Sequence, residues 1–418
     1  MKFIENFKFT THIPAFVAVM VAVAVPLRAS GVAAQQAALG LALLAALVVC
    51  ATSVDTRGYV RQALRSPLGL VVGAIFVAWG VTIFFSYAPF QSLKMGLRTG
   101  ALIFASVLIW AVLSAHQDVQ RRLWKILVGT ALTLAVLALL SLNGVPMILS
   151  VFKGKVLALE KPELAFKAFA AACMCLIPVV IWAGRKLGGG WPFASYAFLP
   201  LALMVMVQTE NRAVLAGVVV MTLSAVVLLV VARWRYVVSI YISALVSFGA
   251  AAYWLYIVGA EKLVGQVSQE GTYLPLWLVD VHRQFIWKFA FERFLDHPIV
   301  GNGIDQLNRL PGANKAVAGL ANSAALVPSH PHNWALEILA ETGILGFVPV
   351  VFALAYIAWQ LFKHYKMTLD EGDFALLILG VGFWSSALFN FSIWAAWWQL
   401  TFFVLFTIVL AARPRTSA

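Results

Sequence analysis

The chain has 418 residues, 62% of them hydrophobic and 11% charged, with a net charge of +13. Such proportions exclude a soluble globular domain and mark a polytopic membrane protein. In that setting the positive balance belongs first to topology and gives no reason to invoke nucleic acid, while continuous apolar runs without period-two alternation exclude a β-barrel and leave an all-α fold.

Taken in chain order, apolar stretches of spanning length predict about twelve transmembrane helices. They fall at 13–27, 31–54, 67–85, 99–115, 126–142, 167–184, 191–208, 213–232, 236–258, 334–361, 373–389 and 393–411. The first follows Lys2 and Lys8, lacks a small-residue cleavage site and reads as a retained helix. Cys50, Cys173 and Cys175 lie inside spans and read as packing residues, with no metal-ligand spacing around them.

With the N-terminus inside, the inner segments hold Arg57, Arg61 and Arg65, then Arg121, Arg122 and Lys125, then Arg185 and Lys186, then Arg233 and Arg235, then Lys363 and Lys366, and finally Arg413 and Arg415. Each is basic, so both termini are expected in the cytoplasm. Three longer segments are then left outside: 86–98 with Lys94 and Arg98, 143–166 with Lys153, Lys155 and Lys161, and the large loop 259–333. Lysines and arginines on the outer side either escape the rule because their loop is long or serve an anionic ligand. The whole chain, 1–418, is expected to form one integral membrane domain carrying that loop.

Within the loop, residues 277–296 space Phe285, Phe289, Trp287, Phe291 and Phe294 as a helix does, and Pro298, Gly301 and Gly303 stop it. An amphipathic helix lying at the membrane interface is expected. Arg283 and Trp287 share one face, placing a guanidinium beside an aromatic plate; it either grips phosphate oxygens or only snorkels to the interface. Arg212 follows Gln208-Thr209-Glu210-Asn211 in a tight outer turn and either pairs with Glu210 or aims at the same phosphate as Arg283. His332 ends the polar loop in Ser329-His330-Pro331-His332-Asn333. With Pro331 in the first turn and Ser329 or His330 as cap, His332 would sit at a helix N-terminus whose dipole keeps the imidazole neutral, fit either to accept a proton or merely to cap. His330, expected to point elsewhere, is a secondary candidate. Glu337 and Glu341, one turn apart in the next span, call for partners such as an arginine from another outer turn, and Gly343 and Gly346 for close helix packing.

Three parts in this order resemble the O-antigen ligase and polymerase superfamily of bacterial membrane glycosyltransferases. They are Thr209-Glu210-Asn211-Arg212; Arg283-x-x-x-Trp287 with Phe294 and Pro298-x-x-Gly301-x-Gly303; and His332-Asn333-x-x-Leu336 with Glu341-x-Gly343-x-x-Gly346. The resemblance implies an undecaprenyl-diphosphate-linked glycan donor, used on the periplasmic side of the inner membrane without cofactor or metal. It also implies that Arg212 and Arg283 bind the diphosphate and that His332 is the general base of an inverting displacement. His330, Asn333, Trp287, Glu341, Lys153 and Lys155 are secondary candidates. Within the superfamily the first expectation is an O-antigen ligase with lipid A–core as acceptor, whose phosphates the outer lysines suit; no periplasmic domain is expected after the last helix. An O-antigen polymerase and a protein O-oligosaccharyltransferase use the same donor logic, and a lipid-linked glycan flippase is the reading from another class.

Overall fold

The computed structural model describes residues 9–145, 162–232, 279–316 and 325–413. Among them the protein is all-helical, with one isolated bridge, Ala316 to Ala325, in place of any sheet. Inside a bilayer only helices satisfy every backbone group within their own segment, which is why the apolar runs take this form.

The helices are α1 (Phe9–Ala24), α2 (Val32–Thr52), α3 (Val54–Arg65), α4 (Pro67–Phe84), α5 (Pro89–Ala115), α6 (Gln120–Leu142), α7 (Pro162–Leu187), α8 (Trp191–Gln208), α9 (Arg212–Ala232), α10 (Val281–Asp296), α11 (Trp334–Thr368), α12 (Glu371–Ser386) and α13 (Ala396–Ala411). Among the described residues eight helical stretches are long and apolar enough to cross a membrane, and α1 and α13 are shorter apolar helices. Of the twelve expected spans eleven fall on these helices; the twelfth, 236–258, lies outside the described residues, as do Lys153, Lys155 and Lys161.

Two boundaries differ from expectation. Residues 89–98 are not a separate outer segment but the first turns of α5, which Pro89 opens in the first helical turn, where its missing N–H costs nothing. The basic stretch after α2 is itself a helix, α3, capped by Ser53, whose side chain accepts from the Thr56 N–H at 3.2 Å.

Helix α7 is the centre of the bundle. Its stretch from Phe169 to Val180 is buried, and three consecutive alanines, Ala170 to Ala172, let neighbours approach. It packs on α6, α8, α12 and α13, while α4 and α12 flank α11, and α5 lies against α2 and α13. The region around α10 has a smaller core of its own, in which Ile286, Phe289 and Ala290 of α10 meet Leu307, Leu310, Ala313 and Val327, with Ala340 of α11 as its floor. Helix α10 is therefore docked on protein rather than simply floating at the interface, although Phe291 and Leu295 remain exposed.

The feature that ties loop to bundle is a break in α11. Gly343 has φ 61° and ψ −169°, which interrupts the helical ladder. The orphaned groups are taken up by the segment 298–303. Asn302 and Gly303 donate N–H groups to the carbonyls of Ala340 and Glu341 at 3.1 and 2.8 Å, and Ile344 and Leu345 donate to Pro298 and Ile299 at 2.9 and 3.0 Å. A side chain on Gly301 would strike the backbone of Glu341, and one on Gly343 the backbone of Ile299. These glycines serve backbone-to-backbone contact between loop and helix; the helix–helix packing expected of Gly343 is not its role, whereas a Cβ on Gly346 would meet Trp79 of α4 at 2.9 Å.

Candidate functional site

At the end of the bundle where α7 and α9 begin and α10 rests on α11, the polar residues gather. Helix α11 starts at Trp334, and Asn333 is its cap: Asn333 Oδ1 accepts from the Ala335 and Leu336 N–H groups at 3.1 and 3.2 Å. The capping expected of Ser329 or His330 thus belongs to Asn333, and Pro331 and His332 precede the helix. His332 adopts φ 55°, a left-handed conformation uncommon for a side-chain-bearing residue. Trp287 of α10 holds it there by donating its indole N–H to the Pro331 carbonyl at 2.9 Å, and the ring lies against Phe389. Trp287 is accordingly a support of the histidine segment.

The turn puts both imidazoles on one partner, where they had been expected to point apart. Their ring centroids are 4.1 Å apart. The Asn390 carbonyl lies 2.7 Å from His332 Nδ1 and 3.3 Å from His330 Nε2. A carbonyl only accepts, so neutral His332 carries its proton on Nδ1 and leaves Nε2 with a lone pair. His330 carries its proton on Nε2, and its Nδ1 accepts from the Ser329 hydroxyl at 2.9 Å. Of the pair, only His332 has a ring nitrogen without a hydrogen bond among the described residues.

Asp280 caps α10, accepting from the Arg283 N–H at 3.0 Å and pairing with Arg283 Nε at 3.2 Å. Burial lowers the pKa of Arg283, Asp280 raises it, and Arg212 is near enough for its charge to lower it further. Burial, then the Arg283 charge, bring His332 down to about 4, with the Asn390 carbonyl working against them and His282 adding to them. His330 falls to about 3 through burial, His332 and Arg283. Burial and the Arg283 charge, rather than a helix dipole, are the main causes that favour a neutral imidazole at His332. The charge of Arg283 thus reaches His332, and that of Arg212 reaches Arg283.

Among the described residues Glu337 and Glu341 form no ion pair with an arginine. Glu341 is buried and accepts from the backbone N–H groups of Asp305, Gln306 and Leu307 at 2.7, 3.0 and 3.1 Å, and from the Trp394 indole at 2.5 Å. Glu337 accepts from the Ser392 hydroxyl at 2.5 Å and the Ile393 N–H at 2.9 Å. Both carboxyl groups anchor outer segments by their amides, a use any carboxylate near free N–H groups can fill. Arg98 donates to the Trp394 carbonyl, so the turn 387–395 is held from several sides. Sequence reasoning passed over this turn; its signal was a polar cluster, Asn390 and Ser392, between two apolar spans. Among the described residues no three His, Cys, Asp or Glu side chains are grouped to hold a metal ion.

Fold and site together define a polytopic, all-α membrane protein whose arginines and histidines converge at one face of the bundle. Residues 197–351 match the family model described as O-Antigen ligase, a span that contains Arg212, Arg283 and His332. Among curated proteins, the "Putative polysaccharide ligase" of Rickettsia prowazekii is 26% identical over 166 residues, which cover 38% of this chain and 39% of the relative. Its counterpart in Rickettsia conorii is likewise 26% identical over 166 residues, 38% of each chain. That of Rickettsia typhi is 26% identical over 139 residues, 32% of this chain and 33% of the relative. The match thus spans under two fifths of the curated relatives' length.

Proposed function

We propose that the protein is an O-antigen ligase of the bacterial inner membrane, with both termini cytoplasmic and its site on the periplasmic face. It transfers a glycan from an undecaprenyl-diphosphate donor to a hydroxyl of lipid A–core oligosaccharide. The match of residues 197–351 to the O-antigen ligase model supports the class. The observation that carries the mechanism is the Nε2 of His332, left bare when Nδ1 turns to the Asn390 carbonyl, in the field of Arg283, which in turn feels the charge of Arg212.

The acceptor hydroxyl loses its proton to His332 Nε2 as its oxygen attacks the anomeric carbon. The bond from that carbon to the diphosphate oxygen breaks, the anomeric centre inverts, and undecaprenyl diphosphate leaves. Arg212 and Arg283 stabilise the charge that grows on the departing oxygen. An imidazole held at about 4 is a weak base. The diphosphate corrects this, because its negative charge offsets the Arg283 charge that disfavours imidazolium, and basicity rises only when donor is bound. The reaction needs no metal in this scheme.

The test is transfer by purified protein in lipid discs, given a lipid-diphosphate glycan and either lipid A–core or free donor chains. Glycan on lipid A–core is expected, undiminished by excess EDTA. Elongated donor alone would mean an O-antigen polymerase, glycan on an added protein substrate a protein O-oligosaccharyltransferase, and donor movement across the membrane without product a flippase. Loss of activity to EDTA with specific rescue by a divalent ion would overturn the metal-free scheme.

A further inference from the structure

The turn after α12 touches the candidate base only through a backbone carbonyl, yet that carbonyl decides which ring nitrogen of His332 is bare. What fixes the carbonyl is therefore part of the chemistry. Ser386 accepts from the Asn390 side chain at 3.3 Å, at the near end of the turn. Two residues beyond Asn390 the turn is gripped by Glu337, whose two carboxyl oxygens take the Ser392 hydroxyl and the Ile393 N–H. Ser392 Oγ in turn accepts from the Trp394 N–H at 3.1 Å, closing the turn on itself. Glu337 stands one helical turn into α11, directly after the His332 segment, so one short stretch carries both the base and the clamp on the base's partner. Glu337 is about 1% exposed, and its visible partners all lie in this turn.

We infer that Glu337 is a positioning residue for His332: by clamping Ser392 and Ile393 it aims the Asn390 carbonyl at Nδ1, which leaves Nε2 as the nitrogen that takes the acceptor's proton. The inference rests on the transfer reading for its kinetic consequence, but not for the tautomer itself. Glu341 does different work. All four of its donors are N–H groups, three of them in the loop 305–307, so an amide there would set its own NH2 against an N–H. At Glu337 an amide fits, because its oxygen accepts from the Ile393 N–H while its NH2 donates to Ser392 Oγ, and a hydroxyl accepts as readily as it donates.

The experiment is nitrogen NMR on the full-length protein, histidine-labelled, in lipid discs, with the His332 signal assigned by its loss in His332→Gln. The wild-type ring is expected to be protonated on Nδ1 and bare on Nε2. Glu337→Ala is expected to give a mixture of tautomers and a kcat lower by about tenfold to a hundredfold, approaching what loss of a general base costs, with the donor KM unchanged. Glu337→Gln is expected to keep both the wild-type tautomer and the wild-type kcat, which a role in bulk folding or in net charge does not explain. If Glu337→Ala fails to fold, Ser392→Ala removes half of the clamp and is read the same way. A wild-type ring protonated on Nε2, or alanine variants with an unaltered tautomer, would overturn the inference. Absence of transfer in every variant and in wild type would remove the ligase reading while the nitrogen spectra still decided the positioning.

Discussion

The two ends of the helix bundle use charge in opposite ways. At the end where α7 and α11 finish and α12 begins, charges close on each other: Arg185 pairs with Glu371, and the fully buried Asp373 takes both His364 and Arg413. At the site end the buried carboxyls of Glu337 and Glu341 are turned onto amide and hydroxyl donors and hold turns, while Arg283 pairs only with the half-exposed Asp280 and feels the charge of Arg212. The first arrangement spends its electrostatics inside the protein. The second sets the Arg283 charge beside His332. On the proposed function similar residues then act as glue at one end and as a receptor for a diphosphate at the other, and the two most buried carboxylates of the site end face turns rather than arginines.

That contrast is open to breaking. The largest effect is expected from His332→Ala, with transfer lower by about 10²- to 10⁴-fold, the usual contribution of a general base, while size-exclusion profile and melting temperature stay at wild-type values. Arg283→Ala and Arg212→Ala come next. Each should raise the donor KM by roughly tenfold to a hundredfold, as loss of a charge-assisted contact worth about 1.5–3 kcal/mol does, and lysine should restore only part of it because a point charge lacks the planar fork. Normal donor affinity in both alanine variants would remove the receptor half of the comparison. Asp373→Ala is expected to do the reverse: a stability loss of roughly 2 kcal/mol, less than a wholly buried pair would cost because His364 and Arg413 reach solvent, read as a lower melting temperature, with the donor KM of the folded fraction unchanged.

The smallest effect sharpens the contrast through pH. His332 is lowered to about 4 from an ordinary 6.5, by burial first and then by Arg283 and His282 of α10, with the Asn390 carbonyl raising it. The acid limb of kcat/KM should therefore lie well below pH 6.5, and Arg283→Gln should move it upward by removing a positive charge. The kcat limb, measured with donor bound, should lie above that of kcat/KM. For stability the sign is the same: the unfolded chain binds this proton more readily, so the contribution of a neutral His332 is whole above pH 6.5 and is lost as pH falls towards 4. A limb that did not respond to Arg283→Gln would separate the arginine from the imidazole.

Hydropathy made most of the bundle legible, since each span must satisfy its backbone alone and so writes itself as an apolar run. It did not show the early start of α5, because Lys94 and Arg98 interrupt the apolar signal without interrupting the helix. Nor did it show α3, whose sequence has a polar face and no spanning length. At the site, His332, Arg283 and Arg212 were visible because charge in an apolar chain is conspicuous. Their support was not: Asn390 acts through its carbonyl, which every residue has, and the donors to Glu341 are mostly main-chain. Trp287 was visible as an aromatic plate on the face of Arg283, but its support of the histidine segment was not, since spacing shows a shared face and not that an indole N–H reaches Pro331.

The break at Gly343 has a kinetic consequence for the whole outer loop. Because segment 298–303 completes the ladder of α11, peeling that segment away would strip partners from the helix in the same act. Amide protons on both sides of this seam should then exchange with deuterium as a single cooperative unit, at one shared rate.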